Sequence, residues 1–320
     1  MKFVMSLPLS EQATKMLEEN HIEYYIGNNL DWTSYPEEEL ASADGLIVRM
    51  EKCPAEVLAK CPKLKVIGRP GMGFDNIAVD YATKIGVPVV LAPGANARSV
   101  AEHSVMFILA LGKRLKTMET EGRRGNWGIR SQGLQMELLG KKVGIVGVGG
   151  IGAIVAQLCS AFGMKCLGYS HSHNRAKVEA AGCEYYENLD DLLREADFVS
   201  LHMPLNQDTY HCIGARELSL MKKTAFLINT ARGAVVDEQA LADAVNQGVI
   251  AGAGVDVYSE EPPSLDNPVF SAPGIICTPH TAALTPEGWN RMACYAIEGC
   301  LAVLNGQRPK MVANPEVYEK

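Results

Sequence analysis

The chain has 320 residues, 47% hydrophobic and 21% charged, a globular balance in a length that one core rarely covers, so two domains are expected. A net charge of −7 excludes a general attraction to nucleic acid or an anionic membrane and leaves small molecules as the expected partners, with room for a local cationic pocket. Nine cysteines without a Cys-x-x-Cys pair fit neither a disulfide framework nor a zinc site, and the longest apolar run, Val105 to Leu111, cannot span a bilayer; a soluble, cytoplasmic, metal-free protein is expected.

Residues 1–95 alternate strands (Lys2 to Ser6, Glu23 to Ile26, Gly45 to Val48, Lys65 to Ile67, Pro88 to Leu91) with helical stretches such as Glu11 to Glu19, an α/β domain of its own. A long helix is expected to start near Ser99, where Ser99-x-x-Glu102 reads as a capping box. Its apolar residues from Val100 to Leu111 run nearly all round, so it must be buried between layers. A Gly- and Arg-rich connection containing Trp127 follows. At Lys142 a short apolar strand, Val143 to Val146, runs into Gly147-Val-Gly149-Gly150-Ile151-Gly152 and then an apolar-striped helix to Phe162. This strand, turn and helix is the dinucleotide-binding arrangement. The first glycine makes the tight turn, the second admits a pyrophosphate against bare backbone, and the third lets the helix pack on the strand, with helix N–H groups facing the phosphates.

Strand and helix alternation continues through Lys165 to Tyr169, Phe198 to Leu201, Ala225 to Asn229, Ala251 to Val257 and Ile275 to Thr278, making six strands of a doubly wound sheet. A last helix, capped by Thr285 with Pro286 in its first turn, runs to about Asn305 and is expected to cross back onto the N-terminal domain. Ligands of such sheets gather beyond the carboxyl ends of the strands. There stand Arg232, Glu261 and His280, types that suit hydride transfer to a 2-keto acid. A guanidinium fork anchors a carboxylate, an imidazole with a pKa near about 6.5 gives and recovers a proton, and a carboxylate orients the imidazole. His103 is the competing base, though it is expected to pack within its helix, and His202 and His211 are expected on the cofactor side or at the surface.

The ordered segments Gly147–Gly152, Asn229-Thr-Ala-Arg-Gly-Ala-Val-Val-Asp237, Asp256-Val-Tyr-Ser-Glu-Glu-Pro262 and Thr278-Pro-His-Thr281 resemble the D-isomer-specific 2-hydroxyacid dehydrogenases. Gly68–Asn76 and Asn96–His103 are similar to that family's substrate-domain motifs. The resemblance implies two Rossmann-like doubly wound α/β domains, with a dinucleotide-binding domain (99–284) inserted in a flavodoxin-like substrate domain (1–98 and 285–320), and a homodimer built on the nucleotide domains. It implies Arg232 as carboxylate anchor, His280 as acid/base, Glu261 as its partner, and Asp256 on the nicotinamide amide. Backbone at Met72 and Gly73 would hold the substrate carboxylate. The cofactor contacts would be Gly147, Gly149, Gly150, Ile151, Gly152, Ser170, His171, Ser172, Arg175, His202, Pro204, Thr209, Thr230, Ala231 and Asp256.

One departure bears on the cofactor. Where NAD users of the family carry an acid after the second strand, this chain reads Tyr169-Ser-His-Ser-His-Asn-Arg175, which cannot repel a 2′-phosphate; NADP is therefore expected over NAD, which stays open. Leu46-Ile-Val-Arg49 and Gly68-Arg69-Pro-Gly71 are most similar to the phosphoglycerate dehydrogenase branch, which implies a small 2-keto acid with a second polar or anionic group near Arg49 or Arg69. Hydroxypyruvate and glyoxylate are of this size. Met50-Glu51-Lys52 departs from that branch. Two other readings share these residues: a nucleotide-sensing corepressor, and a formate- or phosphite-type dehydrogenase.

Overall fold

The computed structural model describes residues 1–319. It divides the chain into two compact units: Met1–Asn96 together with the segment from Leu284 onward, and Ala97–Ala283. The first unit begins β1 (Lys2–Met5), α1 (Glu11–Glu19), β2 (Glu23–Ile26), α2 (Glu37–Ala41), β3 (Gly45–Ile47), α3 (Ala55–Ala59), β4 (Val66–Arg69), α4 (Val79–Lys84) and β5 (Val89–Leu91). The five strands are parallel in the order β2-β1-β3-β4-β5, the flavodoxin-like winding. Central strand residues such as Phe3, Val4, Leu46, Ile47, Ile67 and Val89 are fully buried. Near-continuous apolar strands are what a parallel sheet covered on both faces requires.

The second unit runs α5 (Ala97–Gly112), α6 (Leu115–Arg123), β6 (Lys142–Val146), α7 (Gly150–Ala161), β7 (Lys165–Tyr169), α8 (Arg175–Ala180), β8 (Glu184–Tyr186), α9 (Leu189–Glu195), β9 (Phe198–Leu201), α10 (Ala215–Leu220), β10 (Phe226–Asn229), α11 (Glu238–Asn246), β11 (Gly252–Val255), α12 (Pro268–Ser271) and β12 (Ile275–Cys277). All seven strands are parallel in the order β12-β11-β10-β9-β6-β7-β8. The winding reverses at β6, whose neighbours are β7 and β9, and the glycine turn leaves the sheet at that switch point. Phe107 of α5 is fully buried against β11. A Cβ on Gly254 would lie 2.5 Å from its ring, so the bare glycine is what lets the helix settle on the sheet.

Three expectations are corrected. The sheet has seven strands, not six. β8 escapes detection because Glu184-Tyr-Tyr186 is an edge strand of three residues with little burial to impose an apolar pattern. There is no capping box at Ser99: α5 already starts at Ala97, Ser99 is buried inside it, and Glu102 pairs with Arg98. The connection around Trp127 holds a regular helix, α6, and a 3-10 turn at Trp127–Gln132.

The chain closes with α13 (Pro286–Leu304), capped by Thr285, whose Oγ1 accepts the Gly288 N–H at 3.0 Å. This helix belongs to the first unit. Ala293, Ile297 and Cys300 are fully buried among Phe3, Met5, Ile47 and Val66, and a Cβ on Gly68 would stand 2.7 Å from Cys300 Sγ. Asn314 then fastens the tail, accepting the Val89 N–H at 2.8 Å and donating to the Val87 carbonyl at 2.9 Å.

Candidate active site

The glycine turn is shaped by two different demands. Gly147 has φ +95°, and a Cβ there would strike the His202 carbonyl group at 2.8 Å; a Cβ on Gly152 would meet the Gly147 carbonyl oxygen at 2.4 Å. Those two glycines are required by the fold itself. Gly149 and Gly150 have nothing within 4 Å of where a Cβ would stand, although they open the twelve-residue α7. Open backbone at the start of a helix suits a phosphate group.

The three strand ends converge for a similar reason. Arg232 follows β10, and the next residue, Gly233, lies so close under the Tyr258–Ser259 peptide that a Cβ would be 1.9 Å from the Tyr258 carbonyl carbon. The loop after β11 therefore crosses directly over the loop after β10. Buried Asn229 ties the latter turn together, donating to the Arg232 carbonyl at 2.9 Å and accepting the Ala231 N–H at 3.1 Å. The Arg232 guanidinium donates to the Ala231 carbonyl at 2.7 Å. Glu261 accepts the Tyr258 N–H at 3.0 Å on one oxygen and meets His280 Nδ1 at 2.6 Å with the other. Burial works to raise the Glu261 carboxyl, but the His280 contact, the Tyr258 N–H and the nearby Arg232 charge outweigh it and hold it below the usual carboxylate range. Glu261 is thus an anion at neutral pH, paired with His280 and within reach of the Arg232 charge.

His280 stands in the left-handed region, φ +50°, a conformation that costs a non-glycine residue on the order of 1–2 kcal/mol. Asp256 holds it there. Its carbonyl accepts the His280 N–H at 2.7 Å, and its fully buried carboxylate accepts the Thr278 hydroxyl and the N–H groups of Thr281 and Ala282, both at 2.9 Å. His103 Nε2 lies 3.0 Å from Thr278 Oγ1 and 3.6 Å from the Asp256 carboxylate. Burial lowers the His103 pKa against the pull of Asp256, so the ring is neutral at pH 7. The work of Thr278 and of Ser104, whose hydroxyl lies 2.8 Å from that of buried Thr230, has no signature in the sequence, because each is a contact between distant segments.

The other residues named from the sequence sit as follows. Ser170 and Ser172 share a hydrogen bond at 2.9 Å after β7, His171 lies 3.8 Å from Asp208, and Arg175 stacks on Tyr185 beside Glu179. The Thr209 hydroxyl donates to the Pro204 carbonyl at 2.7 Å, closing the loop after β9. Within the first unit, Arg49 lies 3.9 Å over the Trp289 ring and donates to the Pro8 carbonyl, and Arg69 donates to the Pro70 carbonyl. Met72 is exposed and Gly73 half-buried. His202 pairs through Nε2 with buried Ser200 at 2.8 Å while its Nδ1 is enclosed by protein, and this burial pushes it down to about 3. The described residues include no cluster of metal-ligating side chains.

Two outcomes follow from this geometry. Gly149→Ala should keep the melting temperature and lose at least about tenfold in nicotinamide nucleotide affinity by calorimetry, because its methyl enters only open space. Gly152→Ala should lose about 1–3 kcal/mol of stability through overlap with backbone; unchanged affinity in Gly149→Ala would contradict the cradle. For His202 the folded value lies below the unfolded one. Neither state binds the proton above about pH 6.5, and below it the unfolded state binds first, so stability is lost as the pH is lowered, at up to about 1.4 kcal/mol per unit until the pH nears 3. Urea titrations at pH 7 and pH 5 should show a smaller acid loss in His202→Asn than in the parent.

Residues 105–282, more than half of the chain, match the family model for the D-isomer specific 2-hydroxyacid dehydrogenase, NAD binding domain. The chain is 39% identical over 318 residues to D-3-phosphoglycerate dehydrogenase of Methanocaldococcus jannaschii, covering 98% of this chain and 59% of that protein, so it spans less than two thirds of that relative's length. It is 39% identical over 302 residues to glyoxylate reductase of Aeropyrum pernix, with 90% of each covered. The crystal structure of D-lactate dehydrogenase from Aquifex aeolicus, complexed with NAD and lactic acid, is similar with a TM-score of 0.83 and 33% identity, covering 100% of this chain and 98% of that one. With two doubly wound parallel sheets and a match across most of its second unit, the chain belongs to the D-isomer-specific 2-hydroxyacid dehydrogenase family.

Proposed function

We propose that this protein is a nicotinamide-dependent dehydrogenase that reduces a small 2-keto acid, of glyoxylate or hydroxypyruvate size, to the D-2-hydroxy acid. The observation that carries this reading is the Glu261–His280 pair at 2.6 Å with Arg232 beside it, on the carboxyl edge of the sheet that bears the glycine turn. When bound, the nicotinamide supplies or accepts the hydride. Gly147 to Gly152 suit its pyrophosphate because the positions at Gly149 and Gly150 are open. Arg232 holds the substrate carboxylate in two parallel hydrogen bonds and so aims the C2 carbonyl. His280 delivers a proton from Nε2 to the C2 oxygen, and Glu261, accepting from Nδ1–H, fixes the ring's orientation and tautomer. Met72, Gly73, Arg49 and Arg69 are assigned to the substrate by sequence resemblance alone. Arg49 or Arg69 would meet a second anionic group on the substrate.

Preference for NADP is part of the same proposal. No carboxylate stands between Tyr169 and Arg175, and Ser170, Ser172 and Arg175 offer donors to a 2′-phosphate. Asp208 beside His171 and Glu179 beside Arg175 offset some of that positive character. We further propose a homodimer through the second unit. Val105, Met106, Leu109, Ala110, Leu115 and Leu158 line an apolar hollow of about 430 Å³, and Trp127 is 76% exposed. Light scattering after size exclusion should give twice the 34.6 kDa chain mass, and Met106→Glu should give monomers.

Loss of absorbance of NADPH and NADH, followed against glyoxylate, hydroxypyruvate, pyruvate and 3-phosphohydroxypyruvate, tests the reading. Turnover of a keto acid with higher kcat/KM for NADPH is expected, and His280→Ala should lower kcat by about two to four orders of magnitude with cofactor affinity unchanged. Tight nucleotide binding without turnover would favour a nucleotide sensor. Oxidation of formate or phosphite in place of keto-acid reduction would overturn the substrate class.

A further inference from the structure

Two adjacent residues of α5 reach two different strand ends of the candidate site. Ser104 donates its only hydroxyl hydrogen to the Val100 carbonyl at 2.9 Å, so in the 2.8 Å contact with Thr230 it must be the acceptor and Thr230 the donor. Thr230 lies two residues before Arg232. The same accounting applies to His103. Thr278 gives its hydroxyl hydrogen to Asp256, so the 3.0 Å contact between Thr278 Oγ1 and His103 requires Nε2–H on the ring. His103 is neutral, packs edge-on against Phe107 with ring centroids 4.8 Å apart, and has the Asp256 carboxylate as its charged neighbour. The hydrogen-bond chain then runs from His103 through Thr278 to Asp256, whose carboxylate gathers Thr281 and Ala282 and whose carbonyl holds His280.

We propose that His103 and Ser104 form a two-point brace that sets the Arg232 turn and the His280 turn in register. His103 is a positioning residue for the proton donor, and Ser104 is one for the carboxylate anchor. The proposal rests on the reading of this site as a 2-keto acid reductase. Its physical basis is rigidity: both hydrogen bonds leave the same helix turn, at consecutive residues, and end on hydroxyl-bearing residues just past β10 and β12, buried Thr230 and half-buried Thr278. A shift of either turn by a fraction of the reach of a hydrogen bond would break one of them, and misplacement of about 1 Å in such a site can cost about a hundredfold in rate.

The brace predicts a split between the two residues. His103→Leu, which keeps the volume and removes the donor, should lower kcat by about 10- to 100-fold with KM for the keto acid and nucleotide affinity within about twofold. His103→Gln, whose amide can present an N–H near the place of Nε2, should recover kcat to within about threefold of the parent. Ser104→Ala should act mainly on KM, raising it about 5- to 20-fold. Ring-nitrogen resonances of His280 in the full chain give a readout that needs no turnover: they should move in His103→Leu and return in His103→Gln. If His103→Leu fails to fold, Thr278→Val against Thr278→Ser repeats the comparison, since only the serine keeps the relay hydroxyl. Parent-like kcat and unmoved His280 resonances in His103→Leu or Thr278→Val, with His280→Ala inactive, would overturn the brace and leave the function standing. A parent without keto-acid turnover would overturn the function, and the resonances alone would then judge the brace.

Discussion

Placing the Asp256 carboxylate in the interior would cost several kcal/mol if its lone pairs went unmet, and the polypeptide around it is arranged to meet them. The donors it collects come from Thr278 and from the backbone of Thr281 and Ala282, which wrap the chain around His280. That wrapping forces His280 into the left-handed region, and the hydrogen bonds offset a strain on the order of 1–2 kcal/mol. A side chain held this way loses little further entropy when it meets a reacting group. The anion's first job is therefore architectural, and any contact it makes with a cofactor is additional to that.

Close approach of bare backbone is the second constraint. Gly233 lets the segment from Tyr258 to Glu261 pass over the Arg232 turn, which brings a carboxylate from one strand end against an imidazole from another and within reach of the Arg232 charge. Gly147 and Gly152 play the same part where β6 passes into α7. Glycine at these places is a packing requirement, whereas at Gly149 and Gly150 it leaves room. The distinction matters chemically, since only vacant backbone can receive a phosphate.

Burial separates the histidines near the site. Burial lowers His103 and His202 and keeps both neutral, and the His202 ring pairs through Nε2 with the Ser200 hydroxyl. His280 instead faces an ionised carboxylate and solvent, with 42% of its side chain exposed. Proton exchange with a substrate needs access, which separates this ring from the other two.

Residue order was enough to mark the doubly wound α/β class, the glycine turn and the three polar residues beyond their strands, because apolar strands and turn glycines are local demands of a parallel sheet. The short edge strand β8 and the true start of α5 were illegible, as neither imposes a periodic pattern or a terminal cap. The roles of Thr278 and Ser104 were equally hidden. Each depends on a partner brought near by folding, as when the Ser104 and Thr230 hydroxyls, 126 positions apart in the chain, meet at 2.8 Å. What the amino-acid order determined by itself was which chemistries lie at the sheet's carboxyl edge; which of them touch, and which are shut away from water, was decided only when tertiary packing fixed distances and burial.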